Sequence, residues 1–513
     1  MASVEMDYLR LRRQTLVQDG VTFYCDYGGV DCAREAVEKG FEGLSLQNGW
    51  QNCPPPRFLR TSEIEPGPRG ILKRVAIDWD KCESCVQGDL ARRMPKIAQE
   101  YVLAALPAEG ATKQERAEAH REIRKWLSAN RSWIFADRLL APCYVHPGRN
   151  CPAAPFGFSG DSEDRRRVRL RHDGREEEVP TRHMSVNIAG VTCVAYCSSG
   201  LHEGEAHSSE VDHSIWLCER RAKAEQELED VFFVECSTKY PFESKVGAEC
   251  GDTHLLLAIN DDPVLHGWPA HRDRMSAVGL SRATTRWLGP DQQDLLEADF
   301  KQRFHKALAC SAEIFMRESS VKRNEDLSRM AAIQKYILTP EEIAQLPNDE
   351  LIEYVNPPGA LQRLEQWEAK YAPSAASFPG AYFFNFMRHP KYARAGSWSS
   401  FPTLETNTMI ASVLPGKGTT IATGTEYFAS LGFHMFEPSG DGWGLFGQSK
   451  IAPYILESAP HLQRGIAGNG MNLLAQAAWI YYVLGHVVNV RGLSDMPPRM
   501  KNATETEFDC EDL

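Results

Sequence analysis

Two rhythms of apolar and polar positions divide the chain. Up to about residue 280, short apolar runs end in loops of glycine, acidic or small residues. Residues 21–24 (VTFY) run towards Gly28-Gly29, residues 75–77 (VAI) towards Asp78 and Trp79, and residues 186–189 (VNIA) into Gly190. Residues 231–234 (VFFV) end on Glu235, and Ala277-Val278 follow Arg272 and Arg274. Apolar runs bounded by turn residues predict buried strands. Residues 30–39 and 214–230 carry helical spacing and predict helices between those strands. Strands and helices in alternation predict an α/β domain built on a parallel sheet.

Elsewhere the rhythm differs. Residues 97–138 read as helices, with apolar positions in the charged stretch 113–128 too sparse for a buried element. Six Arg residues in 165–175, the turn pair Asp173-Gly174 and the acids 176–178 predict a self-neutralised surface hairpin. Residues 89–180 therefore read as an insertion. Charge-laced segments at 292–317, 325–336, 340–346 and 359–371 predict helices, followed by the aromatic and basic stretch 382–394 (YFFNFMRHPKYAR). Residues 471–488 are apolar enough to raise the question of a membrane span. Asn472 and Gln476 interrupt them and no basic flank marks them, so they predict a buried closing helix. The tail after Met496 reads as disordered.

Composition narrows the classes. The 513 residues allow two to four domains, and a net charge of −12 excludes a protein that coats nucleic acid through bulk charge. Any nucleic-acid groove must be a local basic patch. Fourteen Cys without a repeating pattern, and no apolar leader in the first residues, suit an intracellular, reducing compartment. The Cys82–Cys85 spacing invites a zinc reading, but no second pair stands at a matching distance and Cys143, His146 and Cys151 form only a loose cluster. No metal is expected. Residues 416–420 (GKGTT) lack the earlier glycine of a phosphate loop, since Ala411 stands in its place.

The candidate chemistry centres on Cys193, just beyond the strand end at Gly190, with Ser198, Ser199 and Gly200 behind it. Strand ends in α/β sheets are rigid and their loops face the ligand crevice. A lone Cys there is as readily a small buried hydrophobe. Its downstream company changes that: Glu235 after a strand, then Arg272 and Arg274 at alternate positions, then residues 467–471 (AGNGM). This order of motifs resembles the cytosine-5 DNA methyltransferase family.

The resemblance implies a Rossmann-like S-adenosylmethionine-dependent methyltransferase domain over 15–280, with the insertion at about 89–180. It further implies a smaller, mostly helical target-recognition region over 281–400, C-terminal motifs packing back over 401–492, and a tail over 493–513. Glu426 and Gly432 fall on the family's later motifs. Cys193 would be the nucleophile at cytosine C6, Glu235 the donor to N3, and Arg274 with its neighbour Arg272 the holder of O2. The cofactor would be S-adenosyl-L-methionine, held by Tyr24, Tyr27, Gly28, Gly29 and Asn469, with Asp78 on the ribose and Trp79 on the adenine. Asp78-Trp79-Asp80 fits the family's acidic-Trp-Asp sequence. The implied partner is DNA, reached by base flipping, inside the cell and in the nucleus if the organism is a eukaryote, with no membrane.

Four positions depart from the pattern: Tyr24 replaces Phe, Asp26 the first Gly, Cys236 an Asn and Ala270 a Gln. The family's third cofactor motif is not placed in 89–180. Two alternatives stand beside the DNA reading: an RNA (tRNA) cytosine-5 methyltransferase, and a nucleic-acid-binding or regulatory member that no longer turns over.

Overall fold

The computed structural model describes residues 20–48, 56–136, 140–152, 165–169, 176–180, 184–191, 195–196, 203–308, 310–333, 339–346, 350, 352–353, 356, 358–375, 380–392, 399–406, 408–414, 418–436 and 448–490. Its centre is a seven-stranded sheet made of β1 (Val21–Asp26), β2 (Arg57–Ser62), β3 (Cys85–Gln87), β4 (Met184–Gly190), β5 (Val231–Cys236), β6 (His254–Asp261) and β7 (Arg274–Ser281). The strand order is β3-β2-β1-β4-β5-β7-β6. β1 to β5 pair in parallel, and β7 runs antiparallel to both β5 and β6. This is a Rossmann-like, doubly wound arrangement. The chain moves outward from β1 in one direction, then restarts at β4 on the other side, which opens a crevice at the carboxyl ends of the strands.

Side-chain alternation along each strand feeds two cores. Phe23 and Cys25 of β1 and Phe233 of β5 join Val37 and Phe41 of the helix Cys32–Asn48 and Trp479 and Tyr482 of the helix Leu473–Leu484. Phe232 and Val234 face the other way, onto Ile215 and Trp216 of the helix Ser209–Glu225 and Ile123 and Leu127 of the helix Lys113–Ile134. The last helix corrects the expectation for 113–128. A capping box between Thr112 and Glu115 starts it, and His120, Ile123, Leu127 and Ile134 make a narrow buried stripe. Burying Ile123 and Leu127 contributes about 1.5–3 kcal/mol each, so a few apolar positions at the right spacing suffice.

A second correction concerns residues 75–77. They lie in the helix Pro66–Asp78, which Pro66 opens and whose buried stripe is Ile71, Leu72, Val75 and Ala76. The strand that flanks β1 on the side away from β4 is β2, earlier in the chain. The helix expected over 292–317 stops early, as Gln293–Phe304, and only the short turn Ala312–Phe315 follows. The helices Ser320–Ile333, Pro340–Gln345 and Pro358–Ala375 come next. The strand Tyr382–Asn385 then joins Ile410–Leu414 and Gly418–Ile421 in an antiparallel sheet. Tyr382, Phe384 and Phe386 are buried against Trp367 and Tyr371, so these aromatics of the 382–394 stretch form a core.

The hairpin expected near 165–180 is present as Arg165–Arg169 paired with Glu176–Pro180. The closing helix ends at Leu484, and Val487–Asn489 returns to pair with Thr285–Trp287. Among the described residues no helix is long and apolar enough to cross a membrane. The tail from 491 onward lies outside the described residues.

Candidate active site

The turn after β1 carries an unusual backbone. Tyr27, Gly29 and Asp31 have φ of 52°, 55° and 68°, and two of the three are not glycine. Left-handed conformations at such residues are stored strain, which clusters where a loop must hold one shape. Cross-strand bonds hold it: Gly28 N–H donates to Ser62 O at 2.9 Å, and Gly29 N–H donates to Glu63 Oε2 at 2.7 Å. The other Glu63 oxygen accepts from Glu65 N–H at 2.8 Å. Glu63, immediately after β2, is thus the acid at the second strand end.

Asp89 follows the end of β3 by two residues and lines a cavity of about 630 Å³ with Asp212, Val211, Ile215, Leu103 and Leu106. Burial, then the Asp89 charge, push Asp212 up to about 6. Burial holds the Tyr27 hydroxyl far above its ordinary range, and its oxygen has no hydrogen-bond partner among the described residues. A buried hydroxyl left this way costs free energy unless something else meets it.

The second half of the site lies across β4, β5 and β7. Glu235 of β5 stands in register with Gly190 on one side and Ser276 on the other. Because β7 is reversed, its beginning lies at the edge where the parallel strands end, which delivers Arg272 and Arg274 there. Glu235 Oε1 is 3.2 Å from Arg274 Nε and 3.8 Å from Arg272 Nε. Glu235 is 8% exposed and Arg272 5% exposed, so both charges act with little screening. The Arg272 guanidinium also donates to Leu404 O and Gly468 O at 3.4 Å.

Gly468 has a steric reason. A Cβ there would stand 2.4 Å from the backbone of Glu405 and Thr406. At Gly190 an added Cβ would meet Met471 Cε at 2.6 Å, so the 467–471 segment packs over the end of β4. Asn469 itself is exposed at the end of the helix Pro460–Asn469. The nearby Asn472 caps the closing helix, accepting from Leu474 and Ala475 N–H at 3.1 Å.

The structure therefore brings together Gly28, Gly29, Tyr27, Glu235, Arg272 and Arg274 at one edge. Tyr24 is buried one turn of the pleat below, with the Arg60 guanidinium 5.4 Å over its ring. Cys193 lies outside the described residues. Its loop leaves β4 at Gly190, opposite Glu235. Asp78 and Trp79 close no strand, which corrects the premise of their assignment. Asp78 accepts from Tyr454 Oη at 2.6 Å, Trp79 is a 51% exposed helix cap, and Asp80 takes two bonds from Arg34. Glu63 and Asp89 were missed for opposite reasons. β2 (RFLRTS) is too mixed to stand out after a Pro-rich loop, and β3 is only three residues long. Gly88-Asp89 directly after Val86-Gln87 was the available signal.

No protein-family model matches the chain, and no curated protein matches it. Among solved structures it is similar to the Entamoeba histolytica methyltransferase EhMeth, at 8% identity over 90% of this chain and 98% of that one, with a TM-score of 0.40. It is also similar to the S. pombe Dnmt2 methyltransferase, at 10% identity over 90% and 98%, TM-score 0.38. A triple mutant of Spodoptera frugiperda DNMT2 gives 10% identity over 91% and 99%, TM-score 0.37.

Proposed function

We propose that this chain transfers a methyl group from S-adenosylmethionine to C5 of cytosine in DNA, through a temporary bond between Cys193 and C6. The observation that carries the reading is the convergence of Glu235, Arg272 and Arg274 at the point where the Cys193 loop leaves the sheet. Cytosine C5 is a weak nucleophile until a group adds at C6. A thiolate adds well, and its electron pair pushes density through the ring to C5 and N3. Glu235, once it carries a proton, donates that proton to N3 as charge develops there, and Arg274 holds O2, both in a site with little water. The C5–methyl bond forms as the donor's sulfur–methyl bond breaks. A base then takes the C5 proton, and the pair left behind restores the ring double bond and expels the Cys193 thiolate. A stacked base cannot reach these groups, so the cytosine is flipped out at a cost of a few kcal/mol.

The residues present fit the methyl donor, which supplies an electrophilic methyl on a sulfonium. Acids follow β2 and β3, the turn through Tyr27, Gly29 and Asp31 is held in one left-handed shape at the crevice, and the buried Tyr27 hydroxyl has no partner among the described residues. Glu63 has lone pairs beyond those its two backbone bonds use and takes the ribose hydroxyls; Asp89 takes the adenine amino group. Glu63→Gln keeps a carbonyl oxygen for Gly29 but removes the charge. It is expected to weaken S-adenosylmethionine binding about 10- to 100-fold, the worth of a charged hydrogen bond. Trp79→Ala should leave calorimetric affinity unchanged; the reverse pattern would return the assignment to Trp79.

The test of the activity is transfer of labelled methyl from S-adenosylmethionine to duplex DNA and to RNA in parallel. Label at C5 of DNA cytosine is expected. Label on RNA alone would redirect the substrate. A folded, donor-binding protein that labels neither would overturn the reading in favour of a non-catalytic binding module.

A further inference from the structure

The structure brings Cys85 up to Cys143, His146 and Cys151, the three that the sequence left as a loose cluster. Cys85 begins β3, Cys143 bridges to Gln87 beside it, His146 lies in the turn that follows, and Cys151 lies in the strand Asn150–Pro152. Their ligating atoms all stand within 4.8 Å of one another. The sulfurs of Cys143 and Cys151 are each 3.4 Å from His146 Nδ1, and that of Cys85 is 3.7 Å from it. We propose that these residues bind a structural zinc ion, against the expectation from sequence of no metal.

Geometry favours coordination over hydrogen bonding. A neutral imidazole nitrogen has one lone pair and accepts one hydrogen bond, so three thiols cannot all donate to Nδ1. Around a tetrahedral zinc, bonds of about 2.3 Å to sulfur and about 2.0–2.1 Å to nitrogen put sulfur and nitrogen about 3.6 Å apart. The three distances straddle that value. The other ring nitrogen is committed as well: His146 Nε2 donates to Cys82 O at 3.0 Å. That fixes the tautomer and leaves the Nδ1 lone pair facing the three sulfurs, as second-sphere partners of zinc-bound His do.

Three Cys and one His complete a tetrahedron, so no position is open and the ion is structural rather than catalytic. The local core shows why a staple is needed. Among the described residues, Leu72, Ala76, Val86, Cys143, Val145 and Cys151 make up the buried cluster there, with Cys85 and Tyr144 packed beside them. Two short strands, Leu140–Pro142 and Asn150–Pro152, rest on that patch and on the three-residue β3. Small apolar clusters of this size do not hold a segment in one place. Zinc would tie the segment to the edge of the sheet, and through β3 it would set the position of Asp89.

The test uses the full chain purified without chelators. Metal analysis is expected to find one zinc per chain, and cobalt exchange should give the visible absorption of tetrahedral cobalt–thiolate. Cys143→Ser should lose the zinc, while Cys82→Ser and Cys310→Ser retain it. Against the case that Cys143→Ser does not fold, Cys151→His supplies a second arm: a two-Cys, two-His set should still bind one zinc. Chelation should lower the melting temperature of the wild-type chain and leave a zinc-free variant unchanged. A folded wild-type chain without zinc or a cobalt spectrum would overturn the proposal. So would an intact mass lighter by two hydrogens, with the bond mapping between two of the three Cys.

Discussion

An oligonucleotide carrying 5-fluorocytosine is expected to become covalently attached to Cys193 when S-adenosylmethionine is present. Fluorine at C5 cannot leave as a cation, so the thiolate cannot be expelled after methyl transfer and the joined species persists through denaturation. Its mass should equal protein plus oligonucleotide plus one methyl group. A free thiol with a pKa near 8.5 is only about 3% ionised at pH 7. The two guanidiniums of Arg272 and Arg274 supply positive charge at the edge from which the Cys193 loop departs. Cys193→Ser should abolish the adduct while S-adenosylmethionine binding is retained, because a hydroxyl is far less acidic. Cys197, four residues on, is the natural decoy, and Cys197→Ser must still form the adduct. A link mapping to Cys197 would refute the assigned nucleophile. Adduct on RNA but not DNA would keep the chemistry and change the substrate.

What could be read from the sequence divides along physical lines. Gly28-Gly29, β4, β5 and the Arg272 and Arg274 pair were legible because each couples a local apolar period to a turn or a charge within a few residues. The reversed β7 was not legible, yet it is what delivers the two guanidiniums to Glu235. The misread stretch at 75–77 shows the limit of a short window: three apolar residues fit a strand or one helical turn equally, and only the stripe back to Ile71 decides. The Cys85, Cys143, His146 and Cys151 cluster spans a fold-dependent gap. Its spacing resembles no compact motif, because pairing between β3 and its neighbours, rather than chain proximity, closes it. The aromatics at 382–386 look alike on paper whether they stack on bases or on each other, and burial against Trp367 and Tyr371 assigns them to a core.

Asp26→Ala is expected to lower the unfolding free energy by about 3–5 kcal/mol at neutral pH, the usual cost of stranding a buried charge partner. Asp26 stands where the resembled family has a glycine, and on sequence alone it threatens the cofactor turn. The structure turns its carboxylate inward instead. It accepts from Arg93, from Arg60 at 3.1 Å and from Asn187 Nδ2 at 2.8 Å, with Arg220 3.9 Å away. Arg93 also donates to Glu219 at 2.9 Å, and Arg220 pairs with Glu219 and Glu229. Three acids thus balance three guanidiniums under the helix Ser209–Glu225. Burial alone would raise the Asp26 carboxyl, but the Arg93, Arg60 and Arg220 charges outweigh it and hold it far below the usual carboxylate range. The sign of the pH dependence follows. A depressed native value adds stability above the unfolded value near 4, and that contribution fades as pH falls towards the native one. The gap between wild type and Asp26→Ala in urea denaturation should therefore be full at pH 7 and smaller at pH 3. Adding Arg93→Met to Asp26→Ala should recover part of the loss, since the two side chains are in contact. Asp26→Asn preserves the shape, and its folded molecules should bind S-adenosylmethionine as tightly as wild type, because the carboxylate faces the helix and not the crevice. A variant of normal stability with lost S-adenosylmethionine affinity would place Asp26 in the cofactor site and revive the non-catalytic reading.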